Sequence, residues 1–436
     1  MKDLVLIVYP KARQTKDHRF GYSLTMLYIA SGLQKLGYDI KLIDFTTNKY
    51  SAEEYENYVA TACSVIVEID SFPLKRSENY HHALEVAKTT KNIRPNICII
   101  AFGKHCSLVS RPIPGYDLTI TGEPEIYVPQ LFKDGLVNKF NGGMINVGLI
   151  EDLNMLPLPA RYLLSHDQIT GGDIDNAPSL APSAVMETSR GCNGSCSFCQ
   201  RKGWIQGYRT FAIQRVKNEL SSLIECGIRN IWFVDENFTA DIKRAKTLLN
   251  EIRSVQGIKT LKIALSSWIH IDYEMLDLAK EASVSIMSFG MESVDYNIQK
   301  YYRKIYDPNK AKGIIEYADK IGIYTVGNFI FGAPMETHET IQKTMAFAIE
   351  TPFDEVNIKM LDYMIGSDIY QEMPLEFKDK THIFADKNNG LTQFELDEMK
   401  EMALKYKQKF KLAHMKRLVS KMERFGPPYE RSHKPQ

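Results

Sequence analysis

No apolar run in the chain approaches the roughly 20 residues that a helix needs to cross a bilayer, so no membrane span is expected. Charge of one sign is also missing: 54 lysines and arginines face 53 aspartates and glutamates, leaving +1 at pH 7. That balance gives no case for bulk binding to nucleic acid or anionic membranes, and no RNA-binding module is visible. Seven cysteines in 436 residues, three of them clustered, make no disulfide framework, so a reduced, cytoplasmic setting is expected. The opening Met1-Lys2-Asp3-Leu4-Val5 runs straight into a strand-like stretch and does not read as a signal peptide. Internal repeats and a second cysteine motif are absent, which argues against an auxiliary cluster. What remains is an ordinary globular composition, 44% hydrophobic and 25% charged, long enough for two or three domains.

The chemistry concentrates in Gly191-Cys192-Asn193-Gly194-Ser195-Cys196-Ser197-Phe198-Cys199. Its cysteines are spaced C-x3-C-x2-C and follow the strand-like run Ser183 to Thr188, and Gly191 and Gly194 let the chain wrap closely. Thiolates are soft ligands that suit iron–sulfur clusters, and four-iron clusters usually take four of them. No fourth cysteine lies nearby, so one iron would be left open to another ligand. The competing readings are a zinc site or chance. Zinc usually recruits a second ligand pair, and none is present. Cys63, Cys98 and Cys226 lie in apolar segments and are expected in the core, while Cys106 follows a loop without an evident partner.

The rest of the chain alternates strand and helix patterns. A continuous apolar run at 4–9 and further strand patterns at 39–44, 64–69 and 96–101, with a short one at 117–120, predict a parallel sheet covered on both faces, with a helix over 22–36 ending at Gly37. This is a doubly wound α/β domain over 1–140. Asn141-Gly142-Gly143 breaks the pattern, and 141–182 reads as a linker with an exposed polar loop from Gly171 to Pro182. From 183 to 375 a strand is followed by a helix about six times, with strands near 183–188, 228–235, 261–266, 284–291, 324–332 and 354–363. Residues 376–436 are expected to be helical. Thr392-Gln393-Phe394-Glu395 reads as a capping box, an amphipathic helix runs to about Met422 with Lys405, Lys407, Lys409 and Lys411 on a solvated face, and the tail from Gly426 is expected to be disordered.

The cysteine spacing, with an aromatic (Phe198) before the third cysteine, resembles the radical SAM superfamily. The resemblance implies a 4Fe–4S cluster on Cys192, Cys196 and Cys199 whose open iron is chelated by S-adenosylmethionine (SAM). It further implies reductive cleavage of SAM to a 5′-deoxyadenosyl radical, in a partial (β/α)6 TIM-like barrel whose chemistry sits at the C-terminal strand ends. Several strand ends match. Asp235-Glu236-Asn237 resembles the segment that meets the SAM amino group, the bland reading being a helix N-cap region. Gly290-Met291-Glu292-Ser293 resembles Gly-x-Glu-Ser, whose glutamate shapes the SAM and substrate site. Gly327 to Thr337 resembles Gly-x-Ile-x-Gly-x-Pro-Gly-Glu-Thr, placing Asn328 and Gly332 near the adenine, with Asn328 and Met335 replacing two glycines. Ser267, Trp268 and His270 stand where an arginine is common.

The N-terminal pattern resembles the cobalamin-binding domain of one large branch of this superfamily. Gly103, His105, Gly122 and Glu123 fall on its ligand loops, although Phe102 and Lys104 replace a glycine and a proline of the Gly-Gly-Pro-His turn. The branch implies a cobalamin-dependent methyltransferase acting on an unactivated carbon of an organic substrate, with an electron donor such as a flavodoxin or ferredoxin. Two alternatives stay open. One is a radical SAM enzyme without cobalamin that performs a cyclisation, rearrangement or C–C or C–S bond change. The other is a redox or binding protein whose cluster is structural.

Overall fold

The computed structural model describes residues 3–11, 22–46, 51–69, 79–164, 181–205, 207–378, 380 and 382–430. The expected loop at 171–182 lies largely outside these residues, as does the tail beyond 430. Contacts divide the chain into two units, Met1–Ser179 with Gly203–Ile205, and Leu180–Lys202 with Gln206–Gln436.

In the first unit, strands β1 (Leu4–Tyr9), β2 (Asp39–Asp44), β3 (Ala62–Glu68), β4 (Cys98–Phe102), β5 (Leu118–Thr121) and β6 (Gly143–Asn146) form one parallel sheet in the order β2-β1-β3-β4-β5-β6. Successive side chains fall on opposite faces. Val5, Ile7, Cys98, Ile100 and Phe102 enter one core, and Leu6, Val8, Val65, Ile99 and Ala101 the other. The helix Leu24–Lys35 starts where the Ser23 side chain accepts from the Met26 amide, and Gly37 at φ +94° follows its end. Strand β6 was not anticipated. Gly142 turns the chain with φ +82°, and the Gly142 and Gly143 amides donate to the Asp117 carbonyl, which delivers Gly143 beside β5. The proline-rich stretch after β6 stays with this unit: Leu153, Leu156 and Ala160 are buried, and the Ala160 amide donates to the Leu27 carbonyl.

In the second unit, β7 (Ser183–Met186) leads to a small antiparallel hairpin of β8 (Ser189–Gly191) and β9 (Tyr208–Thr210) that the sequence did not announce. Then come β10 (Asn230–Phe233), β11 (Lys262–Ser267), β12 (Val284–Glu292), β13 (Tyr324–Phe331) and β14 (Glu355–Met360). These six strands pair in parallel in sequence order, β7-β10-β11-β12-β13-β14, as the repeated strand–helix pattern predicted. At the start of β7, Asn230 donates to the Ala181 carbonyl and accepts from the Glu430 amide, while the Ala181 amide donates to the Glu430 carbonyl.

The C-terminal helix Leu396–Phe425 begins as expected, but the capping box does not form. The Thr392 hydroxyl instead donates to the Ala333 carbonyl, and Asp386 accepts from the Leu396 amide. Lys405, Lys409 and Lys411 are exposed, whereas Lys421 is buried and ion-paired with Asp319 and Asp354. Cys98 and Cys106 are buried, but Cys226 is exposed rather than a core residue, because it caps the helix Ile213–Glu225 on the outside of the unit. No helix among the described residues is long and apolar enough to cross a membrane.

Candidate functional site

The cysteine loop lies between β8 and β9, beyond the C-terminal end of β7. Gly191 opens it at φ +84°. Gly194 must lack a side chain, because a Cβ there would lie 2.4 Å from the Trp268 ring. The Gly194 amide donates to the Cys192 sulfur at 3.3 Å, and the Asn237 side chain also hydrogen-bonds that sulfur. Ser197 fixes the far side: its amide donates to the Tyr302 carbonyl and its hydroxyl to the Tyr301 carbonyl. Phe198 packs edge-on against Tyr302, with ring centroids 5.1 Å apart.

The β10 exit braces this loop. Asp235 is buried, and its carboxylate accepts from the Thr188 amide (2.7 Å), the Thr188 hydroxyl (2.5 Å) and the Ser189 hydroxyl (2.6 Å). Burial raises its pKa despite these donors. Glu236 accepts from the Gly191 amide at 2.8 Å, with Arg201 3.8 Å away. Asn237 accepts from the Thr239 and Trp268 amides. Of the three residues expected from the sequence at the SAM amino group, Asp235 thus holds Thr188 and Ser189 just before the cysteine loop, and Glu236 and Asn237 bond the loop itself.

The β12 exit supplies a buried ion pair. The strand bulges between Gly290 and Glu292, and Glu292 adopts φ +56°, a region that non-glycine residues rarely occupy. Its carboxylate accepts from the Lys304 ammonium at 2.8 Å, with both side chains 8% exposed. Burial opposes the charge on Lys304, but Glu292, Cys196 and Cys199 more than offset this and its pKa is raised. Ser293 turns away, its hydroxyl 3.1 Å from that of Thr344. Sequence reasoning missed Lys304. The available signal was Gly290, where a Cβ would come within 2.3 Å of the Lys304 ammonium.

On β13, Asn328 donates to the Ser288 hydroxyl and the Phe289 carbonyl, tying β13 to β12. Gly332 has φ +108°, and its amide donates to the Glu336 carboxylate. Burial pushes Glu336 up to about 7.

Burial also raises the Cys192 thiol and pushes Cys196 up to about 11, and both sense Cys199. Thiols in this setting stay protonated until a metal displaces the proton. Among the described residues no three His, Cys, Asp or Glu side chains close to single-ion spacing. Three soft donors on one loop, with the other cysteines elsewhere, suit the wider span of a four-iron cluster with one iron left open.

In the first unit, Gly103 takes φ +120° and keeps the turn after β4. Phe102 is buried in the core with Ile100. His105 is buried against Tyr80, and desolvation holds it neutral, with its pKa lowered to about 4. Gly122 and Glu123 grip the chain's own crossing. A Cβ on Gly122 would lie 2.3 Å from the Gly148 carbonyl, and Glu123 accepts from the Ile150 amide at 2.6 Å.

Residues 186–348 match the family model of the radical SAM superfamily. The matched region contains the cysteine loop, the Asp235 brace and the Glu292–Lys304 pair, and it stops short of the β14 exit. An uncharacterised methyltransferase of Pyrococcus horikoshii is 28% identical over 80% of this chain and 78% of its own length. The cytidylyl-2-hydroxyethylphosphonate methyltransferase of Streptomyces wedmorensis is 23% identical over 84% of this chain and 81% of its own. The radical SAM methyltransferase TsrM of Kitasatospora setae, solved with cobalamin and a 4Fe–4S cluster bound, superposes with a TM-score of 0.69 at 16% identity. That match covers 86% of this chain and 75% of TsrM, so the α/β unit that precedes the matched region shares the fold as well.

Proposed function

We propose that the chain is a cobalamin-dependent radical SAM methyltransferase acting on an unactivated carbon of an organic substrate. The observation that carries the radical part is the loop bearing Cys192, Cys196 and Cys199 at the end of the first of six parallel strands, inside the region matched by the radical SAM model. Methyl transfer is supported by methyltransferase relatives that align along about four-fifths of both chains. With cluster, SAM and cobalamin bound, the protein commands a 5′-deoxyadenosyl radical for hydrogen abstraction and a methyl group to deliver.

The chain's own residues prepare the site. Asp235 and Glu236 tie the loop's entry to β10, so the cysteines are aimed before the cofactor arrives. Asn237 and the Gly194 amide hydrogen-bond the Cys192 sulfur and stabilise its thiolate form. Trp268 closes over Gly194 and keeps bulk water off one side of the loop. In the first unit, Gly103 lets backbone approach a ligand at the C-terminal end of β4, where doubly wound sheets bind cofactors. The reducing electron comes from a partner such as a flavodoxin or ferredoxin, and no nucleic acid takes part.

Lys104 motivates a second reading. It replaces the proline of the expected turn and is buried, so a unit that keeps this fold without cobalamin would serve cyclisation or rearrangement chemistry instead. Anaerobic reconstitution with iron, sulfide and hydroxocobalamin separates the two. Four irons and one cobalamin per chain, with methylated product from two SAM, are expected. Four irons without cobalamin would overturn the first reading and turn the search to cyclisations and rearrangements.

A further inference from the structure

A buried positive charge sits one aromatic ring away from the cysteine loop. Lys304 has only 8% of its side chain exposed, and its ammonium lies 2.8 Å from Glu292 and 5.8 Å from the centre of the Trp268 ring. Trp268 in turn packs on Gly194 of the cysteine loop, so Lys304, Trp268 and the loop form one continuous layer. The ammonium lowers the Cys196 thiol that burial raises, and Cys196 and Cys199 in turn favour the charge on Lys304. The other cation at the loop, Arg201, is on the Cys192 side, more exposed, and faces Glu236.

Three features hold the charge in place: Gly290, which leaves room for the ammonium; the bulge; and the left-handed backbone of Glu292. A buried ion pair is a poor device for stability alone, because desolvating two charges offsets most of their attraction. Its placement beside the thiolates gives it another use. When a low-potential donor adds one electron to a cluster on Cys192, Cys196 and Cys199, the assembly becomes more negative by one charge. A fixed cation nearby stabilises the reduced form and raises the reduction potential.

Resting on the proposed cluster site, we propose that Lys304, held by Glu292, is the residue that sets the reduction potential of the cluster on Cys192, Cys196 and Cys199. It acts through the field at the cluster and forms no bond to it.

The test is a redox titration of the reconstituted full chain without SAM, followed by the electron paramagnetic resonance of the reduced cluster. At a fixed solution potential, K304M is expected to lower the ratio of reduced to oxidised cluster on the order of tenfold. K304R keeps the charge and titrates with the wild type. K304M/E292Q removes both charges, leaves no unpaired buried ion, and still shifts toward the oxidised form, which covers the case of K304M failing to fold. If K304M or the double variant titrates with the wild type, the proposal is overturned. Weakened SAM binding at an unchanged SAM-free potential also overturns it, by making Lys304 a SAM-binding residue. Failure of the wild type to hold four irons removes the cluster site, and the proposal with it.

Discussion

Both units end their parallel strands in loops rich in glycine and acidic residues, yet the two sets of loops serve different ends. In the second unit, Asp235, Glu236 and Asn237 come from one strand exit and hold the cysteine loop and the two residues, Thr188 and Ser189, that lead into it. In the first, Gly122 and Glu123 grip residues 148–150 of the same chain. The lesson is that a strand-end motif does not announce its own use. The same Gly-plus-acid chemistry positions a reactive loop in one sheet and locks a chain crossing in the other.

The comparison breaks most sharply at the cysteines. C196A is expected to lose cluster iron and to drop SAM cleavage by at least about a thousandfold, as measured by iron content and 5′-deoxyadenosine, since a cluster with two protein ligands is not held. D235A comes next. It leaves two hydroxyls and an amide without their acceptor, and chemical denaturation should show about 4 kcal/mol less stability in the second unit.

Glu336 gives a pH-dependent test. Its folded pKa of about 7 lies above the ordinary 4.5, chiefly through burial. The group therefore favours folding below about pH 4.5, and that advantage is lost as pH rises through about 7. E336Q keeps an acceptor for the Gly332 amide and carries no charge. It should match the wild type near pH 4.5 and exceed it by roughly 3 kcal/mol above pH 8, read from urea midpoints. The smallest effect belongs to the first unit. G122A forces a Cβ against the Gly148 carbonyl at φ +92° and should cost about 2 kcal/mol. Cluster iron should stay unchanged, and iron loss would show that the two sets of loops are not independent in use.

Much of this was legible in the residues. Unbroken apolar runs such as Leu4 to Tyr9 mark strands covered on both faces, and every long run became one. The cysteine spacing marked the loop because thiolate ligands leave few other uses for three cysteines in eight residues. What escaped depended on tertiary geometry. Lys304 sits in a run of tyrosines and basic residues that reads as surface, and only the bulge at Glu292 brings it inside. Strand β6 was hidden by the glycines that deliver it. A sequence does not show which way a strand-end side chain turns, and Phe102 turns into the core. The capping box at Thr392 failed because the helix starts three residues later, with Glu395 at its N-cap, and the Thr392 hydroxyl goes to the Ala333 carbonyl instead.

The contact between Glu430 and the start of β7 closes the base of the strand that launches the cysteine loop. The Ala181 amide donates to the Glu430 carbonyl and Asn230 accepts from the Glu430 amide, so both are held by a residue at least two hundred positions later. On a ribosome, the three cysteines emerge long before their strand is closed at its base. A nascent chain that stops before residue 430 therefore presents its three thiols on a strand whose base lacks these bonds.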